Sequence, residues 1–228
     1  ILGAANEVYI AADGHKKSIT GPGLGNYLSM AKAVAATKNV IGKEALKNHT
    51  FVQAHGTGTP QNRTTESHIL SQIAGIFGIE NWPIVAVKSY LGHSIASSAG
   101  DQLAATLGSF AHGILPGILT IDEIAQDVTQ ENLDFLLAHR ELPLNSIDAT
   151  IINSKGFGGN NASASILAPH IVEKMLEKRH GATALKDYKK RNQQVADKTA
   201  AYDQAMIEGR NNTIYKFDHN VLDNESLE

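Results

Sequence analysis

Phe51–Glu66, FVQAHGTGTPQNRTTE, decides how this chain is read. A short apolar run delivers His55 to the end of a strand, and Gly56 and Gly58 let the backbone beyond it approach whatever the imidazole faces. Two later stretches repeat the design. VKSYLGHSIASSAG at Val87–Gly100 and INSKGFGGNN at Ile152–Asn161 also place polar residues and glycines just after apolar runs. Three such ends in one chain predict a shared site at one edge of a sheet.

Outward from that stretch the pattern alternates. A strand is predicted at about 3–11 and a helix over Leu24–Ala36, opened by Gly21-Pro22-Gly23 and closed near Asn39. The GPGLG run lacks the Lys-Ser/Thr of a phosphate loop, so it reads as a helix-opening turn. Phe51–Ala54 is the second strand, Thr64–Ile76 a helix, and Ile84–Val87 a third, fully apolar strand. A helix follows at about 94–112, placed directly after His93 so that its positive end lies beside that ring. Ile114–Ser146 reads as a long connection, and Ile147–Asn153 and Ser163–Leu167 as two strands around a glycine-rich turn. The order β-α-β-α-β-α-β-β predicts an α/β fold with a mostly parallel five-stranded sheet. Residues 1–168 form this body. Residues 169–228 are charged and Ala-rich, which predicts a helical C-terminal extension of one or two amphipathic helices ending in a polar tail.

The 228 residues carry a net charge of -3 and are 42% hydrophobic, enough for a sizeable core and without the basic field that nucleic acid needs. No apolar run approaches the roughly 20 residues that cross a bilayer, and the start lacks a signal-peptide pattern. The expected setting is the cytoplasm. There are no cysteines, which excludes disulfides, thiolate metal sites and a thiol nucleophile in this chain.

His55 and His93 each follow a short apolar strand, and parallel strands present their C-terminal ends on one edge. Two neutral imidazoles converging there donate hydrogen bonds to a carbonyl that gains negative charge. Lys88, after a buried strand, needs a carboxylate partner, for which Glu66 is the candidate; that pair would fix the orientation of His55. Thr57 and Thr59 suit an extended amide-containing ligand, and Phe157, set between glycines, suits either a core anchor or a mobile gate. The other histidines (15, 49, 68, 112, 139, 170, 180, 219) show no metal-ligand spacing, and no G-x-S-x-G elbow is present. No metal or cofactor is expected.

At these residues the sequence resembles the C-terminal half of a β-ketoacyl-acyl carrier protein synthase, a condensing enzyme of the thiolase-like fold. HGTGTP at His55–Pro60, K-S-x-x-GH at Lys88–His93 and N-S-x-G-F-G-G at Asn153–Gly159 carry the resemblance, in the family's order. It implies that His55 and His93 bind the malonyl thioester carbonyl and promote loss of carbon dioxide, with Lys88, grouped with them in the catalytic set, and Glu66 as the supporting pair. Thr57 and Thr59 would contact the phosphopantetheine arm, and Phe157, Gly158 and Gly159 would form the gate and oxyanion region. The implied partners are acyl carrier protein, acyl-CoA as an alternative primer, an N-terminal half bearing the nucleophilic cysteine, and a second copy in a homodimer. The reaction implied is a decarboxylative Claisen condensation in fatty acid or polyketide synthesis. A non-catalytic partner subunit and a malonyl decarboxylase are the competing readings. Three positions depart from the family pattern: Arg63 stands where many relatives have Asp, Gln102 or Leu103 where a Glu is common, and Asn160 where Thr or Ser is usual. The missing half further implies exposed apolar surface on this one.

Overall fold

A computed structural model describes residues 1–14 and 23–210. Contacts divide the chain into two compact units, Ile1–Met175 and Leu176–Glu228. Gly21 and Pro22 of the predicted helix-opening turn, and the predicted polar tail beyond Arg210, lie outside the described residues.

The first unit runs β1 (Ala4–Ala12), α1 (Leu24–Ile41), α2 (Lys43–Asn48), β2 (Thr50–Gln53), α3 (Pro60–Phe77) and β3 (Trp82–Val85). It continues with α4 (Lys88–Leu91), α5 (Ser98–His112), β4 (Ile114–Leu115), β5 (Leu133–Phe135), β6 (Arg140–Glu141), β7 (Ala149–Gly156) and β8 (Asn160–Leu167). A six-stranded sheet has the order β1-β8-β7-β2-β3-β5, and β4 and β6 pair separately. The pairings β7–β2, β2–β3 and β3–β5 are parallel, whereas β1–β8 and β8–β7 are antiparallel. The sixth strand is β5, which comes from the stretch read as a connection. It is short and pairs over only Leu133–Phe135 with β3, so its periodicity is too brief to register in the sequence.

Alternation along the central strands builds two cores. Val52, Ile84 and Ile151 face Met30 and Val34 of α1 and Leu70 and Ile73 of α3. Phe51, Val85 and Ile152 face the other way, toward Phe110 of α5 and Leu115. A parallel sheet covered on both faces needs such continuous apolar strands, and IVAV and ATII supply them. The start of α1 is held by protein groups: Gly25 donates its amide to the Asp13 carboxylate at 2.6 Å, and the helix begins at Leu24 directly after Gly23.

Because β2, β3 and β7 run parallel, their C-terminal ends share one edge. HGTGT, the KSYLGH segment and GFGG leave the sheet there. Apolar side chains are also exposed on this unit, including Ile10 on edge strand β1, Leu24 and Ile76. Two further helices follow, α6 (Pro169–His180) and α7 (Ala182–Ile207), neither with a buried residue. In α7 polar pairs such as Gln193–Asp197 supply local support at i, i+4. No helix among the described residues is long and apolar enough to cross a membrane.

Candidate active site

His55 lies two residues past the end of β2 and is 5% exposed. Gly56 turns the chain at once with φ 59°, and a Cβ there would come within 2.7 Å of the Ala86 methyl. Only glycine lets the segments beyond β2 and β3 approach this closely. His93 arrives from β3 by way of α4 and Gly92. The two rings meet edge to face, with centroids 5.3 Å apart and planes at 84°.

Both imidazoles are held in the same way. The Lys155 amide donates to His55 Nδ1 at 3.3 Å, and the Ile95 amide donates to His93 Nδ1 at 3.1 Å. A neutral ring that accepts at Nδ1 carries its proton on Nε2. Each ring therefore has one N–H left to give. Burial pushes the His55 pKa down to about 4; Glu66 opposes this, and Lys88, His93 and Lys155 add to it. His93 is lowered as well, by burial and then by Lys88. Near neutral pH both rings are thus uncharged donors.

The Ile95 bond has a conformational cost. Ile95 sits at φ 58°, a left-handed conformation that β-branched residues avoid. α5 starts at Ser98 rather than at about 94, and an irregular segment with a 3-10 turn at Ile95–Ser97 intervenes. The helix dipole predicted to lie beside His93 is displaced by that segment.

Glu66, on the buried face of α3, is 4% exposed and accepts four N–H bonds. They come from the His55 and Gly56 amides at 2.7 and 2.9 Å, Asn153 Nδ2 at 2.7 Å and Asn62 Nδ2 at 3.0 Å. Burial alone would raise its pKa, but the charges of Lys155 and His55 and these hydrogen bonds reverse the sign and leave it lowered. Glu66 therefore fixes His55 through the backbone. The ion pair predicted between Lys88 and Glu66 is absent as a direct contact: Lys88 Nζ is buried with no hydrogen-bond partner. Its pKa is lowered by burial, against the attraction of Glu66 and Asp101. Lys88 begins α4 rather than ending a strand.

A cavity of about 770 Å³ opens in front of these groups. His55, His93, Lys88 and Glu66 line it, together with Thr57, Thr59 and Phe157, while Leu70, Ile84, Ile118, Ile124, Val128 and Phe135 make its apolar wall. Thr59 precedes α3, and its hydroxyl lies 3.5 Å from that of Thr57. Phe157 is 68% exposed in this chain. Gly158 and Gly159 turn the chain at φ 78° and 83°, and Asn160 closes the turn by donating Nδ2 to the Phe157 carbonyl at 2.8 Å.

Arg63 is engaged elsewhere: it grips Asp127 with two bonds of 2.9 Å. Together with Thr129, whose amide donates to Ser67 Oγ at 3.0 Å, this ties the segment around Val128 to α3. Gln102, not Leu103, is the inward residue of α5. It is fully buried, and its Nε2 donates to the carbonyls of Gln53, Ala54 and Asn153 at 3.0, 2.8 and 3.0 Å, while Ser154 donates to its Oε1 at 2.9 Å. One amide thereby joins the ends of β2 and β7. Asn153, Lys155 and Gln102 are contributors that the motif reading underrated. A buried Asn at the end of the apolar run ATIIN, which must find partners for its amide, was the available signal.

A β-sheet edge that presents paired imidazoles over an apolar cavity, reached through HGTGT and GFGG turns, defines a thiolase-like condensing-enzyme half. The chain belongs to the β-ketoacyl synthase family: residues 2–122 match the profile described as "Beta-ketoacyl synthase, C-terminal domain". Over its full length it is 48% identical to the beta-ketoacyl-[acyl-carrier-protein] synthase FabY of Pseudomonas aeruginosa, of which it spans 36%. The crystal structure of that ketosynthase superimposes with a TM-score of 0.90 at 47% identity, covering 99% of this chain and 35% of the other. The 3-oxoacyl-[acyl-carrier-protein] synthase 1 of Escherichia coli is 29% identical over 113 residues, 50% of this chain and 26% of that protein. A ketosynthase of the bacillaene synthase from Bacillus amyloliquefaciens shares the fold, with TM-score 0.62 at 22% identity, covering 74% of this chain and 30% of the other. The chain spans about a third of the relatives it matches over its whole length.

Proposed function

We propose that this chain is the C-terminal half of a 3-oxoacyl-acyl carrier protein synthase and supplies the groups that decarboxylate the malonyl unit. The observation that carries this reading is the pair of Nε2–H donors, each left over by an Nδ1 already bonded to backbone. In the step proposed, the bond between the malonyl α-carbon and its carboxylate breaks and carbon dioxide leaves. The electron pair moves onto the thioester oxygen as an enolate, which His55 and His93 hold. The enolate carbon then attacks an acyl thioester on a cysteine, and that thiolate departs. This chain has no cysteine, so the nucleophile belongs to an N-terminal half. Preorganised donors in a cavity with apolar walls stabilise the developing charge without solvent reorganisation.

Thr57 and Thr59 are assigned to the pantetheine arm, Phe157 to a gate, and Lys88 and Glu66 to support of the imidazole pair. Acyl carrier protein is the proposed carrier of the malonyl group, acyl carrier protein or acyl-CoA the source of the primer, and the cytoplasm the site of action of a homodimer. Residues 1–168 are assigned to the ketosynthase half and 169–228 to a helical extension.

The test is radiolabelled malonyl-acyl carrier protein with an acyl primer, using the full-length protein. Carbon dioxide together with 3-oxoacyl product supports condensation. Release without condensed product would favour a decarboxylase, and no malonyl turnover would leave a non-catalytic acyl-pocket subunit.

A further inference from the structure

Lys155 fills the open position of the N-S-x-G-F-G-G stretch, and the imidazole pair itself requires no cation there. Its side chain is nonetheless buried, at 7% exposure, and lines the cavity. Burying an ammonium is costly unless a nearby charge compensates it.

Strand geometry identifies that charge. Alternation along β7 puts Asn153 and Lys155 on one face and Ser154 on the other. Asn153 reaches Glu66 at 2.7 Å, whereas Ser154 reaches Gln102. Lys155 accordingly lies on the Glu66 side, and among the charges that favour the Glu66 anion it is the strongest. Its main chain acts as well, because the Lys155 amide is the donor to His55 Nδ1. The main chain of Lys155 thus holds the ring directly, and its ammonium acts electrostatically on the carboxylate that grips the ring's own backbone.

We propose that Lys155 is a positioning residue for His55: its ammonium keeps Glu66 in place as an anion, and that anion anchors the amides of His55 and Gly56. The proposal rests on the condensing-enzyme reading only for its effect on turnover. The charged and titratable groups facing the unit are Glu66 on α3, Lys88 on α4, His93 beyond it and Lys155 on β7, with Asp101 on α5 acting on Lys88.

The experiment compares Lys155→Met, Lys155→Arg and the double variant Glu66→Gln/Lys155→Met in the full-length protein. It reads both the pH profile of kcat/KM and Tm against pH. Removing the ammonium should move the acid limb of both curves upward by about 1 pH unit or more, with Lys155→Arg tracking the wild type. The double variant has no carboxylate left to titrate and should lose the displaced limb. Curves for Lys155→Met that superimpose on wild type would overturn the proposal. If Lys155→Met does not fold, recovery of folding in the double variant supports the coupling and failure to recover overturns it. Absence of condensation in the wild-type protein would remove the functional reading, while the Tm curves would still decide the role of Lys155.

Discussion

His55 and His93 meet edge to face at 5.3 Å, although they leave the sheet from different strands and belong to different segments. The contact is set up by backbone rather than by ring packing. Glu66 fixes the amides around His55, and a strained Ile95 offers its amide to His93. Because each Nδ1 accepts a backbone amide, each neutral ring carries its remaining N–H on Nε2.

Replacing His55 by Gln should lower condensing turnover by roughly 100- to 1,000-fold, the usual cost of one preorganised donor. It should also change the pH dependence of stability. His55 titrates at about 4 in the folded chain against an ordinary 6.5. Between those values the unfolded chain binds more protons, so wild-type stability is complete above 6.5 and declines as pH falls toward 4. A gap of about 2.5 units corresponds to roughly 3 kcal/mol. Chemical denaturation at pH 7 and pH 4.5 checks this: the loss between the two should be smaller in His55→Gln than in wild type.

Lys88→Met should stabilise the fold while weakening turnover. Lys88 Nζ is buried without a hydrogen-bond partner, and burial already disfavours its charge. An apolar side chain of similar length removes that penalty, a gain of about 1–2 kcal/mol on the scale of other buried-charge replacements. A melt of the variant at pH 7 reads the sign. A lower Tm would mean that attraction to Glu66 and Asp101 outweighs burial and that the lysine holds the fold.

The central sheet and the shared edge were legible in the sequence because they depend on periodicity and on glycine. Phe51–Ala54 and Ile84–Val87 are short apolar runs, and HGTGT and GFGG can only be turns. What the sequence hid was partner choice at that edge. The motifs name Lys88 and Glu66 but not that Glu66 is saturated by four N–H groups, since two of these are main-chain amides and two come from Asn62 and Asn153. Nor does spacing reveal β5, whose three residues pair by proximity to β3 rather than by pattern. The start of α5 was misplaced for a similar reason: the Ala/Ser run suits a helix throughout, but the bond from Ile95 to His93 diverts the backbone.

Gln102→Glu should destabilise the chain in a pH-dependent way. The Gln102 amide donates to three carbonyl oxygens, and an ionised carboxylate in its place would face all three without a proton to give. The expected cost at pH 7 is about 3 kcal/mol or more, the price of a buried charge facing acceptors. The new carboxyl has its folded pKa raised, so its penalty is absent below the ordinary carboxyl value of about 4.3 and grows as pH rises toward the folded value. Denaturation midpoints at pH 5 and pH 8 should therefore differ more from wild type at pH 8. A penalty independent of pH would indicate lost packing instead.

Gly56→Ala and Gly58→Ala separate conformational cost from crowding. Both glycines have positive φ, 59° and 69°, so alanine at either costs about 1–2 kcal/mol for the left-handed backbone. Only at Gly56 does the added methyl collide, at 2.7 Å from Ala86 Cβ; at Gly58 there is open space. To relieve that contact the segments after β2 and β3 must part, and they carry His55 and Lys88. Gly56→Ala should thus lose more stability than Gly58→Ala and shift His55 away from the Glu66 carboxylate that fixes it. Turnover should fall through kcat in the first variant, while the second retains kcat. Equal losses in stability and kcat would show that turn conformation alone governs this segment, and that the close approach of the two strand ends does not set the position of the imidazole.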